Sequence, residues 1–229
     1  MAELSVGGLE TLQAGCVEEA AGLAAAAFVN SPAYAYIFEA LDESARLKAL
    51  TWLFEVNIRL RLDSGAARCA YAQQAGGRAE MVCFFMMLPP NSEEIGTWAM
   101  VTNGILSFPF RFGFQAFWRL LEVKARHDHL DRNFLEARSS NRPFCRLERM
   151  VVHPSWQGKG VGSRILGSAI AEATSKGYGV KLSTQEALNV TFYSRLGFSV
   201  VGEPEPYFAV LGKAYTNYEM AIEPPEAIS

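Results

Sequence analysis

Cysteine, histidine and net charge are all scarce in this 229-residue chain. The four cysteines, Cys16, Cys69, Cys83 and Cys145, form no CxxC pair, which excludes a zinc ribbon and a dithiol redox motif. The three histidines are His127, His129 and His153. The first two sit two apart in a helical pattern and diverge, so no metal is expected. A net charge of −3 argues against nucleic acid as a partner. Membrane-length apolar runs are missing too. Ala20 to Val29 is about half of the roughly 20 residues that a spanning helix needs. The opening Met-Ala-Glu lacks a leader's basic region, and scattered cysteines suit a reducing compartment. The expectation is a soluble cytoplasmic protein with no membrane partner. No serine stands in a glycine-flanked elbow and Cys145 has no evident base, so nothing points to a covalent intermediate.

What is present is ordinary globular material: 50% hydrophobic and 20% charged residues, enough for one domain over residues 1–229. The charge is uneven. Residues 1–55 hold eight acids and two bases, whereas residues 144–183 hold six bases and two acids. The basic stretch reads either as a site for one small anionic ligand or as a solvated face.

Leu9 to Leu12 reads as a short strand. Val17, Ala20, Ala21, Ala24 and Phe28 recur at helical spacing up to a break at Ser31-Pro32. A second helix is expected from Glu43 to Leu62, capped by Asp42 or Ser44. Residues 67–74 and 78–88 read as a hairpin around Gly76-Gly77, its second strand apolar enough to be central. Residues 91–143 form a helical insertion, with helices expected around 93–106, 113–125 and 128–138. Its aromatics, among them Trp98, Phe108, Phe112, Phe117 and Trp118, either pack on each other or line a substrate cavity. A strand over 144–152, a glycine-rich turn, a helix closed by Gly177, a strand from Val180 to Thr184, a helix from Asn189 to Leu196 and strands at Phe198–Val201 and Ala214–Ile222 complete the order. The fold class is α/β or α+β with an insertion. The segment Val210 to Ile222 could pair with a second copy, which leaves monomer and homodimer both open.

The most informative segment runs Met150-Val151-Val152-His153-Pro154-Ser155-Trp156-Gln157-Gly158-Lys159-Gly160-Val161-Gly162-Ser163. Alternate glycines let the backbone approach a ligand, and the helix start offers unpaired N–H groups, which suits a phosphate. It is neither a Walker A loop nor a dinucleotide fingerprint: no Lys-Ser/Thr follows the last glycine, and Ile165 stands where the third glycine belongs.

Gln157-x-x-Gly160-x-Gly162 after an apolar strand resembles the acyl-CoA signature of the GNAT superfamily of acetyltransferases. Leu182-Ser183-Thr184 and Asn189-x-x-x-Tyr193-x-x-x-Gly197-Phe198 resemble that family's next segments, at its distances. The strong part covers about residues 145–202. The layout is similar to puromycin N-acetyltransferase-like members. The resemblance implies a central mixed, mostly antiparallel sheet flanked by helices, and acetyl-CoA as co-substrate. Its cradle would be Gln157, Gly158, Lys159, Gly160, Val161, Gly162 and Ser163. Met150, Val151 and Val152 would align the pantetheine, a Val151 or Val152 amide facing the thioester oxygen. Asn189 would hold the pantetheine arm or orient Tyr193; its other reading is a helix cap. Tyr193 takes the role of general acid, because a phenol with a pKa of about 10 stays protonated beside a leaving thiol of about 8.5.

An acceptor ammonium with a pKa near 10.4 must lose a proton, which costs about 4–5 kcal/mol at pH 7. Glu148, the one acid of the motif strand, is the candidate base. It alternates with Leu147 and Arg149 and is expected to point away from both. Its other reading is a charge paired with Arg146 or Arg149, and Glu94 is held in reserve. The expected reaction is N-acetylation of a small amine with an apolar or aromatic portion. Acetylation of protein or peptide amines, and a non-catalytic acyl-CoA-binding module, are the alternatives.

Overall fold

In the computed structural model, the described residues are 6–73, 79–90, 92, 104–136, 143–202, 204–210 and 213–225. The expected Gly76-Gly77 turn, most of the helix at 93–106, Trp98 and Glu94 lie outside them. Eight strands follow the chain: β1 (Glu10–Thr11), β2 (Ala67–Ala72), β3 (Glu80–Leu88), β4 (Phe144–Val152), β5 (Gly179–Thr184), β6 (Ser199–Val200), β7 (Glu205–Val210) and β8 (Lys213–Ile222). They form a sheet in the order β1-β2-β3-β4-β5-β8-β6, with β7 also on β8. Every pair is antiparallel except β4 with β5.

The helices are α1 (Val17–Phe28), α2 (Pro32–Ile37), α3 (Glu43–Arg59), α4 (Phe108–Phe112), α5 (Phe114–Glu136), α6 (Val161–Ser175) and α7 (Ala187–Ser194). Asp42, rather than Ser44, caps α3, its Oδ1 accepting from the Ala45 amide at 2.8 Å. Pro32, four residues past the end of α1, starts α2, where its missing N–H costs nothing. Among the described residues, no helix is long and apolar enough to cross a membrane.

Alternation along β3, shifted once where Val82 is skipped in the pairing with β2, splits the core. Met81, Phe84 and Met86 pack with α1 and α3, including Phe54, while Val82, Cys83 and Phe85 pack with α6 through Ile165 and Leu166. The central position expected for this strand is the observed one.

Two expectations change. The two helices at 113–125 and 128–138 are one helix of 23 residues, because no glycine or proline interrupts them. β7 was not foreseen; Pro206 weakens its strand signal and confines it to the margin of the sheet. β8 meets β5 along residues 218–222 on one edge, and β6 and β7 on the other.

Candidate active site

Two breaks in regular structure make the site. The first is a fork. β4 and β5 pair only at Phe144–Gly179, Cys145–Val180 and Arg146–Lys181, then part. From Leu147 to Val152 the β5 side of β4 has no strand partner among the described residues. The second is a bulge. Phe84 pairs with Val151 and Met86 with Glu148, so Arg149 and Met150 together oppose Phe85. Arg149 takes φ of +54°, the one described non-glycine residue with positive φ.

That bulge corrects the expected direction of Glu148. Strict alternation would place Glu148 and Arg149 on opposite faces. The left-handed turn at Arg149 brings them together, Nη1 to Oε2 at 2.6 Å. Arg146 Nε lies 2.8 Å from the other carboxylate oxygen. Burial alone would raise the Glu148 pKa, but Arg149, Arg146 and Arg61 outweigh it and hold it below the usual carboxylate range.

The fork opens into a cleft of about 1640 Å³. Its first end is the glycine turn. Gly158 and Gly160 have φ of +72° and +76°, conformations that other residues rarely adopt. Gly160 sits at the N-cap of α6 with no side chain capping the helix. The first-turn amides at Val161, Gly162 and Ser163 therefore have no intrahelical partner. A Cβ on Gly162 would lie 3.0 Å from Val152 Cγ2, so glycine lets α6 pack close to β4. Gln157 does not face outward alone: its Nε2 donates to the Val152 carbonyl at 3.0 Å. Lys159 stacks its ammonium 5.2 Å from the Trp156 ring centroid and does not line the cleft.

The other expected cofactor residues all line the cleft: Met150, Val151, Val152, Gln157, Gly158, Gly160, Val161, Gly162, Ser163, Asn189 and Tyr193. Asn189 is no helix cap; its amide donates to Thr184 Oγ1 at 3.2 Å. Tyr193 is buried between the rings of Phe192 and Phe198, 5.1 and 5.6 Å away. Burial, with the nearby Cys83, pushes its pKa up.

The second end of the cleft is lined by α2, α3 and α5, among them Tyr34, Leu53, Phe117, Leu120 and His127. The aromatics of the insertion thus divide. Phe117 lines the cleft, Phe108 and Phe112 pack on Phe38 and Trp52, and Phe110, Phe114 and Trp118 are exposed. The basic stretch at 144–183 divides as well. Lys176 pairs with Glu172, Arg164 donates to the Val6 carbonyl, and Arg146, Arg149 and Lys181 line the cleft.

Sequence reasoning missed Arg61, Asp131 and Lys181. Lys181 carried a usable signal, since a lysine between Val180 and Leu182 in an apolar strand needs a buried partner. That partner is Asp131, 2.9 Å away.

Residues 122–200 match the model of the family described as acetyltransferase (GNAT) domain. No curated protein matches the chain. Solved structures do. One is "histone acetyltransferase HPA2 and related acetyltransferase" from Corynebacterium glutamicum, 18% identical, with TM-score 0.63 and coverage of 97% of this chain and 98% of that one. A second is Drosophila melanogaster polyamine N-acetyltransferase, 14% identical, TM-score 0.56, covering 96% and 100%. A third is the putative acetyltransferase YncA from Salmonella typhimurium with acetyl-CoA, 15% identical, TM-score 0.53, covering 98% and 96%. Likeness at these identities establishes the fold.

Proposed function

We propose that this chain is a GNAT acetyltransferase that transfers an acetyl group from acetyl-CoA to a small amine with an apolar portion, a reading supported by the match over residues 122–200 and by the shared fold. The observation that carries the reading is the continuity of the cleft. The uncapped start of α6, the unpaired edge of β4 and the Tyr193 wall lie along one opening. Free amides at a helix start suit a pyrophosphate, and a strand edge without a partner suits an extended amide-bearing arm. The second end, walled by Leu53, Phe117 and Leu120, offers an apolar seat to the acceptor. Two structural neighbours bear on the substrates: YncA was solved with acetyl-CoA, and the Drosophila enzyme forms N-acetylagmatine. The four cysteines are all free, which fits a cytoplasmic enzyme.

Acetyl-CoA supplies a thioester whose carbonyl carbon takes the amine nitrogen while the C–S bond breaks and sulfur leaves as thiolate. The chain's share is to align, to donate and to exclude water. Gln157 holds the Val152 carbonyl and so fixes the strand edge beside the turn. A Val151 or Val152 amide is the donor for the carbonyl oxygen. Tyr193, protonated because it is buried, gives its phenolic proton to the departing sulfur. Glu148 is a poor base as it stands. Arg149, Arg146 and Arg61 hold its pKa down, so it resists taking the proton of an ammonium. We assign it to positioning Arg149, with the acceptor losing its proton to water in the open cleft. Asn189, tied to Thr184, steadies the Tyr193 helix at its start.

The test is thiol release with acetyl-CoA against a panel of arylalkylamines, polyamines, amino acids, puromycin and lysine-rich peptides. Turnover of a small amine supports the reading. Turnover of peptides alone moves the assignment to protein acetylation. Acetyl-CoA binding with no turnover on any acceptor leaves a binding module.

A further inference from the structure

The acceptor end of the cleft holds more cations than it pairs. Arg61, Arg146, Arg149 and Lys181 line it, against Asp131 and Glu148. Asp131 takes Lys181 at 2.9 Å and Arg146 at 2.7 Å, and Glu148 takes Arg146 and Arg149. Lys124 and Asp128 cancel each other at 2.6 Å. Glu219 of β8 also lines the cleft, and counting it still leaves a positive surplus.

Two groups are left with bonds to make. Arg61, just past α3, has no hydrogen bond or ion pair to its side chain among the described residues, although its charge acts on Glu148, Arg146 and Arg149. The Arg149 Nε is buried without an acceptor among them. Arg149 is also the residue held at positive φ, an unfavourable conformation that the fold retains at the cleft wall. A guanidinium fork matches a carboxylate in shape and charge, and an unneutralised cation cluster repels a polycation.

We propose that the acceptor is an amine that also carries a carboxylate, an amino-acid-like compound, whose carboxylate seats between Arg61 and Arg149. The proposal rests on the acetyl-transfer reading above. It narrows the acceptor class and sets this site apart from one built for agmatine or polyamines. The amine then points along the cleft toward Val151, just past the bulge on β4. The apolar part lies against Leu53, Phe117 and Leu120.

Matched pairs that differ only in the carboxylate test it: phenylalanine against phenethylamine, and arginine against agmatine. Each is assayed by thiol release with acetyl-CoA and by calorimetry on the protein saturated with coenzyme A. The carboxylated member is expected to be preferred at least tenfold in kcat/KM or in Kd. Arg61→Ala should cut that preference about tenfold, and Arg61→Lys should restore part of it. The acetyl-CoA Kd of each variant reports that it has folded. Equal or reversed preference in the unaltered protein overturns the proposal, as does an Arg61→Ala variant that weakens both members alike. Absence of turnover on every amine counts against acetyl transfer itself, and the calorimetric preference then still decides the carboxylate seat.

Discussion

Arg146 and Lys181 are the last residues paired between β4 and β5, and both donate to a single carboxylate, that of Asp131 on α5. Like charges directly across a ladder repel. Asp131 turns the repulsion into a staple at the point where the strands part. The fork is thereby held by a helix that belongs to the insertion, fifty residues away from Lys181.

Asp131→Asn is expected to lower stability by about 1–3 kcal/mol. That is less than for a fully buried pair, since the Asp131 side chain is 28% exposed. Burial pushes the Asp131 pKa up, but Lys181 and Arg146 outweigh it and leave it lowered. A lowered pKa means stability that is present above the ordinary aspartate range and lost as pH falls through the folded value. Urea midpoints should therefore differ between the two proteins by a constant amount from pH 5 to 7 and converge below about pH 4. A gap that widened in acid would remove the staple.

Tyr193→Phe is expected to reduce kcat by about 10²–10³-fold, the usual range for a lost general acid, with the acetyl-CoA Kd within about threefold. Because burial raises the Tyr193 pKa, its ionisation should add no alkaline fall in kcat below about pH 10 in the unaltered enzyme. Steady-state rates from pH 6 to 10 check both points.

Glu148→Gln separates a base from a positioning group. If Glu148 holds Arg149, the variant should raise the acceptor KM more than it lowers kcat. The acid side of the kcat/KM profile should then keep its position, set by the acceptor's own amine. Disappearance of that acid limb in the variant would return Glu148 to the role of base.

Gly162→Ala should destabilise by about 1–3 kcal/mol, because the added methyl meets Val152 at 3.0 Å and Met150 and Phe192 at 3.5 Å. The same shift moves the start of α6, so acetyl-CoA binding should weaken together with the melting temperature. Calorimetry and thermal melts on one preparation check the pair. Gly167→Ala, on the same helix with open space around it, is the control.

Local pattern made the glycine-turn end of the cleft readable. The apolar run into β4, the glycines at 158, 160 and 162, and the spacing of Asn189 and Tyr193 are all short-range signals. The other end depends on partners far apart in the chain. No local feature marks Arg149 as a bulge, since the bulge exists only relative to Phe85 on β3. Asp131 reads as one more polar residue on a helix until β4 and β5 bring Arg146 and Lys181 to it. Only Arg126 and His127 separate the two expected helices at 113–125 and 128–138, and both residues tolerate helix, so nothing there breaks one.

The two walls of the cleft come from different lengths of chain. Met150 to Tyr193 supplies the glycine turn, the strand edge and the tyrosine. Much of the opposing wall comes from Phe28 to Arg61 and from Phe117 to Asp131. Substitutions in α2, α3 or the near half of α5 can reshape what is admitted without altering the turn that faces it. The molecule is in this sense a fixed platform with an exchangeable reader, and libraries aimed at new acceptors belong in the reader.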